Sequence, residues 1–130
     1  MKKTLIIIIV MLFTPLLAYA DLSPASYYEI EIRELQLTIS GMEERLACMR
    51  DQNCTADEAL AIDETNQMQI IKLYREYNTT PSKRAAYYTH NSQEVDDYYN
   101  KNLKIQSTFN KLTDTYELLS DEINTLLEVQ

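Results

Sequence analysis

Two long segments of this sequence repeat apolar residues with heptad spacing. In the first segment the steps between apolar positions alternate between four and three residues: Tyr28, Ile32, Leu35, Ile39, Met42, Leu46 and Met49. This repeat places all of these side chains on one face of an α-helix. Ile30 and Leu37 widen that face. The pattern therefore favours a helix that packs in a bundle over one strand of a two-stranded coil.

The second heptad segment lies in the last third of the chain. Its positions are Val95, Tyr98, Asn102, Ile105, Phe109, Leu112, Tyr116, Leu119, Ile123 and Leu126, of which only Asn102 is polar. An asparagine at an inward heptad position usually sets register or pairing. The flanking positions are mostly uncharged, which indicates helix neighbours on more than one side. We predict a last helix of about 36 residues, about 54 Å long.

Capping patterns predict where the earlier helices begin. The first helix begins either at Ser26, which forms a capping box with Glu29, or at Ser23, which precedes Pro24. Thr55 caps a second helix over residues 56–77. The polar stretch 63–67 in that helix is either the exposed end of a hairpin or a surface reserved for another contact.

A third helix is predicted to begin at Pro81, with Thr80 as its N-cap. Asn91 and Glu94 form another capping pattern. The sequence therefore leaves open whether this helix is interrupted over residues 89–92 or runs on. The chain has a single glycine, which argues against nucleotide-binding loops and many-stranded sheets. We predict a single all-α domain over residues 21–130, an elongated helical hairpin or bundle of three to four helices with coiled-coil-like heptad seams.

The first 20 residues have the organisation of a bacterial secretory signal peptide. Lys2 and Lys3 precede an apolar run over residues 5–18, and Ala18-Tyr19-Ala20 is a small-x-small cleavage motif. The run is shorter than the roughly 20 residues that span a bilayer. We expect cleavage before Asp21 and a periplasmic or secreted protein, with an uncleaved membrane anchor as the alternative.

Cys48 and Cys54 are the only cysteines. In an exported protein an isolated pair predicts a disulfide. The bridge requires a turn between the first two helices, because thiols six positions apart on one helix point in different directions. The alternative, a redox-active pair, lacks the two-residue spacing typical of such sites.

Removal of the signal peptide leaves ten Lys and Arg against twenty Asp and Glu, a net charge of −10. Nucleic acids and anionic membranes are poor partners for such a chain, whereas a basic protein is a suitable one. The alternative explanation is that the charge keeps a small envelope protein soluble.

The sequence contains no recognisable catalytic or metal-binding constellation. His90 is the only histidine, and Glu94 is its one acidic neighbour at helical spacing, which falls short of a zinc site. Adjacent carboxylates on a helix diverge by about 100° and do not converge on one atom. No Ser, Thr or Cys has a base partner at motif spacing. We therefore predict a protein that is not an enzyme and that binds no metal and no cofactor.

The tyrosine content of this chain is unusual, with ten tyrosines and no tryptophan. Six of the ten tyrosines form doublets: Tyr27-Tyr28, Tyr87-Tyr88 and Tyr98-Tyr99. Tyr27, Tyr87 and Tyr99 lie beside the heptad positions rather than on them. They either widen the bundle face or form an aromatic surface for a partner, since tyrosine is enriched in binding hot spots. Tyr87 and Tyr99 are twelve residues apart and need not share one face.

Lys83-Arg84 is the only basic doublet after the signal peptide, and it lies in the first turn of the third helix. Positive charge there opposes the helix dipole. The doublet either pairs with nearby acidic residues or contacts an acidic group of a partner. We predict Tyr27, Tyr87, Tyr99, Lys83 and Arg84 as partner-binding residues.

Three functional hypotheses follow from these features. The first is a non-catalytic periplasmic protein, of the inhibitor, immunity or adaptor type, that holds one specific basic protein partner. The second is a general envelope chaperone that uses its tyrosine and methionine residues to hold unfolded clients. The third is a structural coiled-coil component of an envelope assembly, which the long final seam favours. Separately, a homodimer would cover that seam.

Overall fold

The computed structural model of the chain describes residues 22–129. The predicted signal peptide, residues 1–20, lies outside the described residues. Within them the chain forms four helices and no strand: α1 Pro24–Arg50, α2 Ala56–Glu76, α3 Pro81–Asn100 and α4 Leu103–Val129. The helices pack against one another. The predicted all-α bundle of three to four helices is therefore confirmed.

The first helix begins at the earlier of its two predicted starts. Ser23 is the N-cap, and the Ser26 backbone N–H donates to the Ser23 hydroxyl at 3.1 Å. The Ser23 N–H in turn donates to the Ser26 hydroxyl at 2.8 Å, which completes a capping box. The alternative start at Ser26 with Glu29 is wrong, because Pro24 at the first helical position extends the helix by one turn.

The other predicted caps are confirmed. The Thr55 hydroxyl accepts from the Glu58 N–H at 3.1 Å at the start of α2, and the Thr80 hydroxyl accepts from the Lys83 N–H at 3.2 Å at the start of α3. The chain reverses between α2 and α3 through Asn78, whose φ of 51° lies in the left-handed region. Asparagine tolerates that conformation better than most residues.

The last helix is shorter than predicted, because the predicted helix is interrupted at Lys101 and Asn102. Asn102 directly precedes α4, and its carbonyl accepts the Gln106 N–H at 3.2 Å as the first bond of that helix. The Gln106 side chain donates to the Tyr99 carbonyl at 2.7 Å and so satisfies the end of α3. The polar residue in the seam therefore marks a helix boundary, and the prediction that it sets register inside one rod is wrong.

The third helix spans residues 89–92 but is kinked there. Asn91 has non-helical dihedrals, with φ −130° and ψ 26°, inside α3. Its side-chain amide donates to the Tyr87 carbonyl at 2.9 Å. The two alternatives that the sequence left open are thus both partly realised, since one helix continues across a local kink.

The first helix is central, and each of the other three packs against it. α2 runs antiparallel to α1, as the Arg45–Asp63 and Arg33–Glu76 ion pairs at its two ends indicate. α3 lies beside the first turns of α1, and α4 then runs parallel to α1 as far as the ion pair from Arg50 to Glu122 at 3.0 Å.

The best-buried part of the core lies near the start of α1. Ile30, Leu73 and Tyr74 pack together there. Tyr28 points about 200° away from Ile30 around α1 and is buried against α3, where Val95 is also buried. Ile30 lies outside the heptad seam of α1, so α1 is covered on more than one side. The described part of α4 has no fully buried residue. None of the described helices has the length and apolar character needed to cross a membrane.

The predicted bridge between Cys48 and Cys54 is present. The two residues are disulfide-bonded with a Cα–Cα distance of 5.2 Å. The turn that the bridge requires is made by the Asp51 carbonyl, which accepts the Cys54 N–H at 3.1 Å, and by the Asp51 carboxylate, which accepts the Asn53 N–H at 3.0 Å. The bridge thereby joins the end of α1 to the residue before the α2 cap.

Candidate functional site

The three tyrosine doublets meet in one place, which we call the tyrosine cluster: Tyr27, Tyr28, Tyr87, Tyr88, Tyr98 and Tyr99. The Tyr27 ring contacts Tyr87 at 6.2 Å and stacks on Tyr88 at 5.7 Å between centroids. The Tyr28 ring contacts Tyr98 at 6.2 Å and Tyr99 at 5.4 Å. One doublet on α1 is therefore flanked by both doublets of α3, and Tyr87 and Tyr99 belong to the same cluster although they are twelve residues apart.

Tyr28 anchors the cluster to the core. It is buried, and its hydroxyl donates to the carbonyl of Val95 at 3.4 Å. The carbonyl sits close to the phenol because α3 crosses the first turns of α1. Tyr27, one residue earlier, points about 100° away around α1 and meets the first half of α3 instead. The doublet thus holds both halves of the kinked helix.

The Arg84 side chain is bound by other residues of the same chain. Its guanidinium carbon lies 3.8 Å from the centroid of the Tyr27 ring. Its Nη2 donates to the Glu31 carboxylate at 2.6 Å and to the Tyr27 carbonyl at 3.1 Å. The Arg84 side chain is only 13% exposed. The interpretation that this arginine pairs with nearby acidic residues therefore matches its surroundings, and the prediction that it contacts a partner finds little exposed surface.

Lys83 and Tyr87 face a different part of the surface from Tyr99. Both line a cleft of about 310 Å³ at the junction of α2 and α3, together with His90 and Asn91. The Lys83 side chain is exposed and Tyr87 is half-buried. Of the five predicted partner-binding residues, Lys83 and Tyr87 therefore share this cleft, and Tyr27, Tyr99 and Arg84 do not line it.

A second cleft, which we call the tyrosine cleft, opens where α1, α3 and α4 meet. Its volume is about 270 Å³, and its lining residues are Tyr27, Tyr28, Glu31, Tyr88, Asp96, Tyr99 and Phe109. Five of these side chains are aromatic and two are acidic. The Tyr88 hydroxyl donates to Asp96 at 3.2 Å across the cleft.

The tyrosine cleft continues along the groove between α1 and α4. A neighbouring cleft of about 410 Å³ shares Glu31 and Phe109 with it and extends to Thr38 and Tyr116. Glu34 lines this second part, where its carboxylate also accepts the Tyr74 hydroxyl at 2.6 Å. Arg84 also lines this second cleft, so the groove combines aromatic rings, carboxylates and one guanidinium along several turns of α1.

Burial and negative neighbours raise the pKa of three phenols of the cleft. Burial, followed by the charge of Asp96, raises the pKa of Tyr28 to about 12. Burial also raises the pKa of Tyr27 although Arg84 opposes it, and the hydrogen bond to Asp96 raises the pKa of Tyr88. Tyr27, Tyr28 and Tyr88 thus carry no charge at physiological pH, and the negative charge of the cleft that Arg84 does not balance comes from Asp96.

Charge is distributed very unevenly along the bundle. The end that carries the disulfide, residues 41–66 and 115–128, holds eleven carboxylates and two basic residues. The carboxylates are Glu43, Glu44, Asp51, Asp57, Glu58, Asp63, Glu64, Glu117, Asp121, Glu122 and Glu128. Both basic residues, Arg45 and Arg50, are already in ion pairs. The remaining described residues hold eight acidic and eight basic side chains. We call the region of residues 41–66 and 115–128 the acidic end.

The described residues offer no constellation for metal chemistry. Within that part of the chain, no group of three or more His, Cys, Asp or Glu side chains is arranged to hold a metal ion. His90 is exposed on α3. The arrangement in and around the tyrosine cleft is suited to binding a cationic group, through ring faces and carboxylates.

Sequence reasoning missed five residues of the tyrosine cleft: Tyr28, Glu31, Tyr88, Asp96 and Phe109. A signal for Asp96 was present, since the Asp96-Asp97 pair directly precedes the Tyr98-Tyr99 doublet. Tyr28 and Phe109 are heptad positions, and Tyr88 lies one heptad before Val95, so the sequence pattern assigned all three to packing within the bundle. Glu31 carries no distinguishing pattern, because its role depends on the approach of Arg84 from another helix.

Neither the family models, nor the curated proteins, nor the solved structures with which the chain was compared include a match.

Proposed function

We propose that this chain is an exported, non-catalytic binding protein of the bacterial periplasm that holds one specific basic protein. The acidic end carries this proposal. The acidic end has a net charge of −9, from eleven carboxylates and two arginines, whereas the remaining described residues are neutral overall. A field of this kind speeds association with a positively charged partner and orients it during approach. Solubility alone would be served equally well by a uniform distribution of the same charge.

The groove between α1 and α4, which includes the tyrosine cleft, supplies short-range contacts in addition to this long-range attraction. Tyrosine side chains bury large areas with little loss of conformational entropy, and they are frequent among the residues that dominate binding energy. The tyrosine cleft and the acidic end are separated by about 20 Å along α1, at 1.5 Å per residue. One protein interface of ordinary size covers both.

The test is affinity capture from native envelope extract with two matched variants. The triple variant Glu43→Gln, Glu44→Gln, Glu64→Gln removes three exposed charges from the acidic end. The control variant Glu29→Gln, Glu94→Gln, Asp114→Asn removes three exposed charges elsewhere.

We expect one basic protein to be captured in stoichiometric amount. The acidic-end variant should weaken its binding about tenfold, at about 0.5 kcal/mol per removed charge, and the control should weaken it by less than about twofold. Capture of an acidic partner, or equal weakening by both variants, would overturn the proposal.

A structural role in an assembly is the second candidate, and α4 is the observation that favours it. Leu103 and Leu118 lie about 60° apart around α4, at about 100° per residue, and are 78% and 65% exposed. A second copy that runs antiparallel would cover this face and keep the two acidic ends apart. Sedimentation up to millimolar concentration tests this candidate with Leu118→Glu, and Leu60→Glu on α2 is the control. A wild-type chain that stays monomeric would exclude it.

A further inference from the structure

The chain twice binds its own arginine between a tyrosine ring and a glutamate. Arg84 lies over the Tyr27 ring and donates to Glu31. Arg33 lies 5.8 Å from the Tyr77 ring centroid and donates to Glu76 at 2.8 Å. A guanidinium suits this pair of groups because its planar face attracts the ring and its edge donates to the carboxylate.

The tyrosine cleft offers the same two kinds of group around Asp96. Its seven lining residues all belong to the described part of the chain, and two of them are acidic and none is basic. The Tyr88 hydroxyl uses one oxygen of Asp96. A carboxylate accepts about four hydrogen bonds, so Asp96 retains capacity for a further donor.

We propose that the tyrosine cleft binds an arginine side chain of the basic partner, with the guanidinium against the rings of Tyr28, Tyr88 and Tyr99 and its N–H groups donating to Asp96. This inference rests on the proposed function and locates the contact that makes it specific. The volume of about 270 Å³ suits a single side chain, since it lies just below the range of pockets that enclose whole small molecules.

Charge and hydration favour arginine over other side chains. Glu31 is already bound to Arg84, so Asp96 supplies the unbalanced negative charge of the cleft. The same negative charge contributes to the raised pKa of Tyr28. A lysine ammonium is more strongly hydrated and cannot stack on a ring, and a neutral glutamine lacks the charge.

The experiment is a nuclear magnetic resonance titration of the isotope-labelled, oxidised protein with short peptides. The probes are acetyl-Gly-Arg-Gly-amide and its neutral counterpart acetyl-Gly-Gln-Gly-amide. Two variants of one helix are compared: Asp96→Asn, which removes the cleft carboxylate, and Asp97→Asn, which makes the same change at the next residue, which does not line the cleft. Tyr88→Leu removes a ring from a residue that is 37% exposed, so folding should tolerate it.

We expect the arginine peptide to give saturable shifts at amides 96–99 and around Phe109, and the glutamine peptide to give none that saturate. Asp96→Asn should weaken arginine binding about tenfold, as the loss of a charge-assisted hydrogen bond implies, and Asp97→Asn by less than about twofold. Tyr88→Leu should also weaken it severalfold.

Equal shifts with both peptides, or shifts unaffected by Asp96→Asn and Tyr88→Leu, would overturn the inference. These outcomes are independent of the capture experiment, because the peptides are supplied and no partner is needed. A captured basic protein that depends on the acidic end, combined with an unresponsive cleft, would leave the proposed function standing and remove only the arginine site.

Discussion

The guanidinium of Arg84 lies 3.8 Å from the centroid of the Tyr27 ring and donates two hydrogen bonds, from Nε and Nη2, to the carbonyl of the same residue. This one side chain joins α3 to the first turns of α1. Positive charge near the start of α3 opposes the dipole of that helix by a few tenths of a kcal/mol. The contacts to Tyr27 and Glu31 outweigh this cost.

Replacement of Arg84 should therefore destabilise the fold. We expect Arg84→Gln to lower the free energy of unfolding by about 2 kcal/mol, through loss of a charge-assisted hydrogen bond and the ring contact. Arg84→Lys should cost about 1 kcal/mol, because an ammonium keeps the charge but lacks the planar face and the paired donors. Urea denaturation measures both. Arg75→Lys, at an exposed position of α2, is the control and should change the free energy by less than about 0.5 kcal/mol.

The single glycine of the chain is explained by Asn66. A Cβ on Gly41 would lie 2.7 Å from Asn66 Nδ2 and 3.3 Å from Asn66 Cβ. The same Nδ2 donates to the Leu37 carbonyl at 2.6 Å. Gly41→Ala would gain about 1 kcal/mol of helix propensity in an open helix. Here it must displace the Asn66 side chain and break its hydrogen bond, so we expect a net loss of about 1 kcal/mol.

A double-mutant cycle isolates this clash. Asn66→Ala removes the displaced amide, and the double variant Gly41→Ala, Asn66→Ala should be more stable than the sum of the single changes by at least about 1 kcal/mol. Additive single changes would show that α1 and α2 do not approach closely at Gly41.

Most of the fold could be predicted from local signals in the sequence. The caps at Thr55 and Thr80 and the proline at position 81 act within four residues, so their effect can be predicted without the rest of the chain. The stretch 63–67 shows the limit of this approach. Its polarity left two alternatives, and two of its residues face α1, where Asp63 pairs with Arg45 and Asn66 donates to Leu37.

The break at Asn102 could not be predicted because heptad spacing persists across it. The apolar positions on both sides remain in phase, and only tertiary contacts decide between one rod and two. Tyr98 and Tyr99 must reach Tyr28, while Phe109 and Tyr116 must lie along the next turns of α1. The site follows the same rule, since the tyrosine doublets were visible in the sequence but their convergence depends on how α3 crosses α1.

The disulfide should stabilise the acidic end without reaching the tyrosine cleft. Closing so short a loop contributes about 2 kcal/mol in the chain-entropy model. We expect Cys48→Ala, Cys54→Ala to lower the free energy of unfolding by about that amount, and reduction of the wild type to have the same effect. The reducing agent should leave the double alanine variant unchanged, which is the control. Binding of the arginine peptide should persist in reduced protein, because the bridge lies at the other end of α1.

Stability should fall at alkaline pH through the buried phenols. The pKa of Tyr28 is raised to about 12 by burial and then by Asp96, and that of Tyr74 to about 12 by burial and then by its hydrogen bond to Glu34. In the unfolded chain a tyrosine loses its proton near pH 10. Above that pH the unfolded state binds fewer protons than the folded state, so the free energy of unfolding decreases as pH rises. The stabilising contribution is complete below pH 10 and is lost between pH 10 and 12.

Tyr74→Phe tests this account, because it keeps the ring and removes the hydroxyl that donates to Glu34 at 2.6 Å. At pH 8 the variant should lose about 1 kcal/mol with the hydrogen bond. Between pH 10 and 12 its urea midpoint should fall less steeply than that of the wild type. Thr55→Ala, which loses an N-cap, costs a similar amount of stability at pH 8 and leaves every phenol in place. It should therefore retain the full alkaline slope, and equal slopes in all three proteins would mean that other groups cause the alkaline transition.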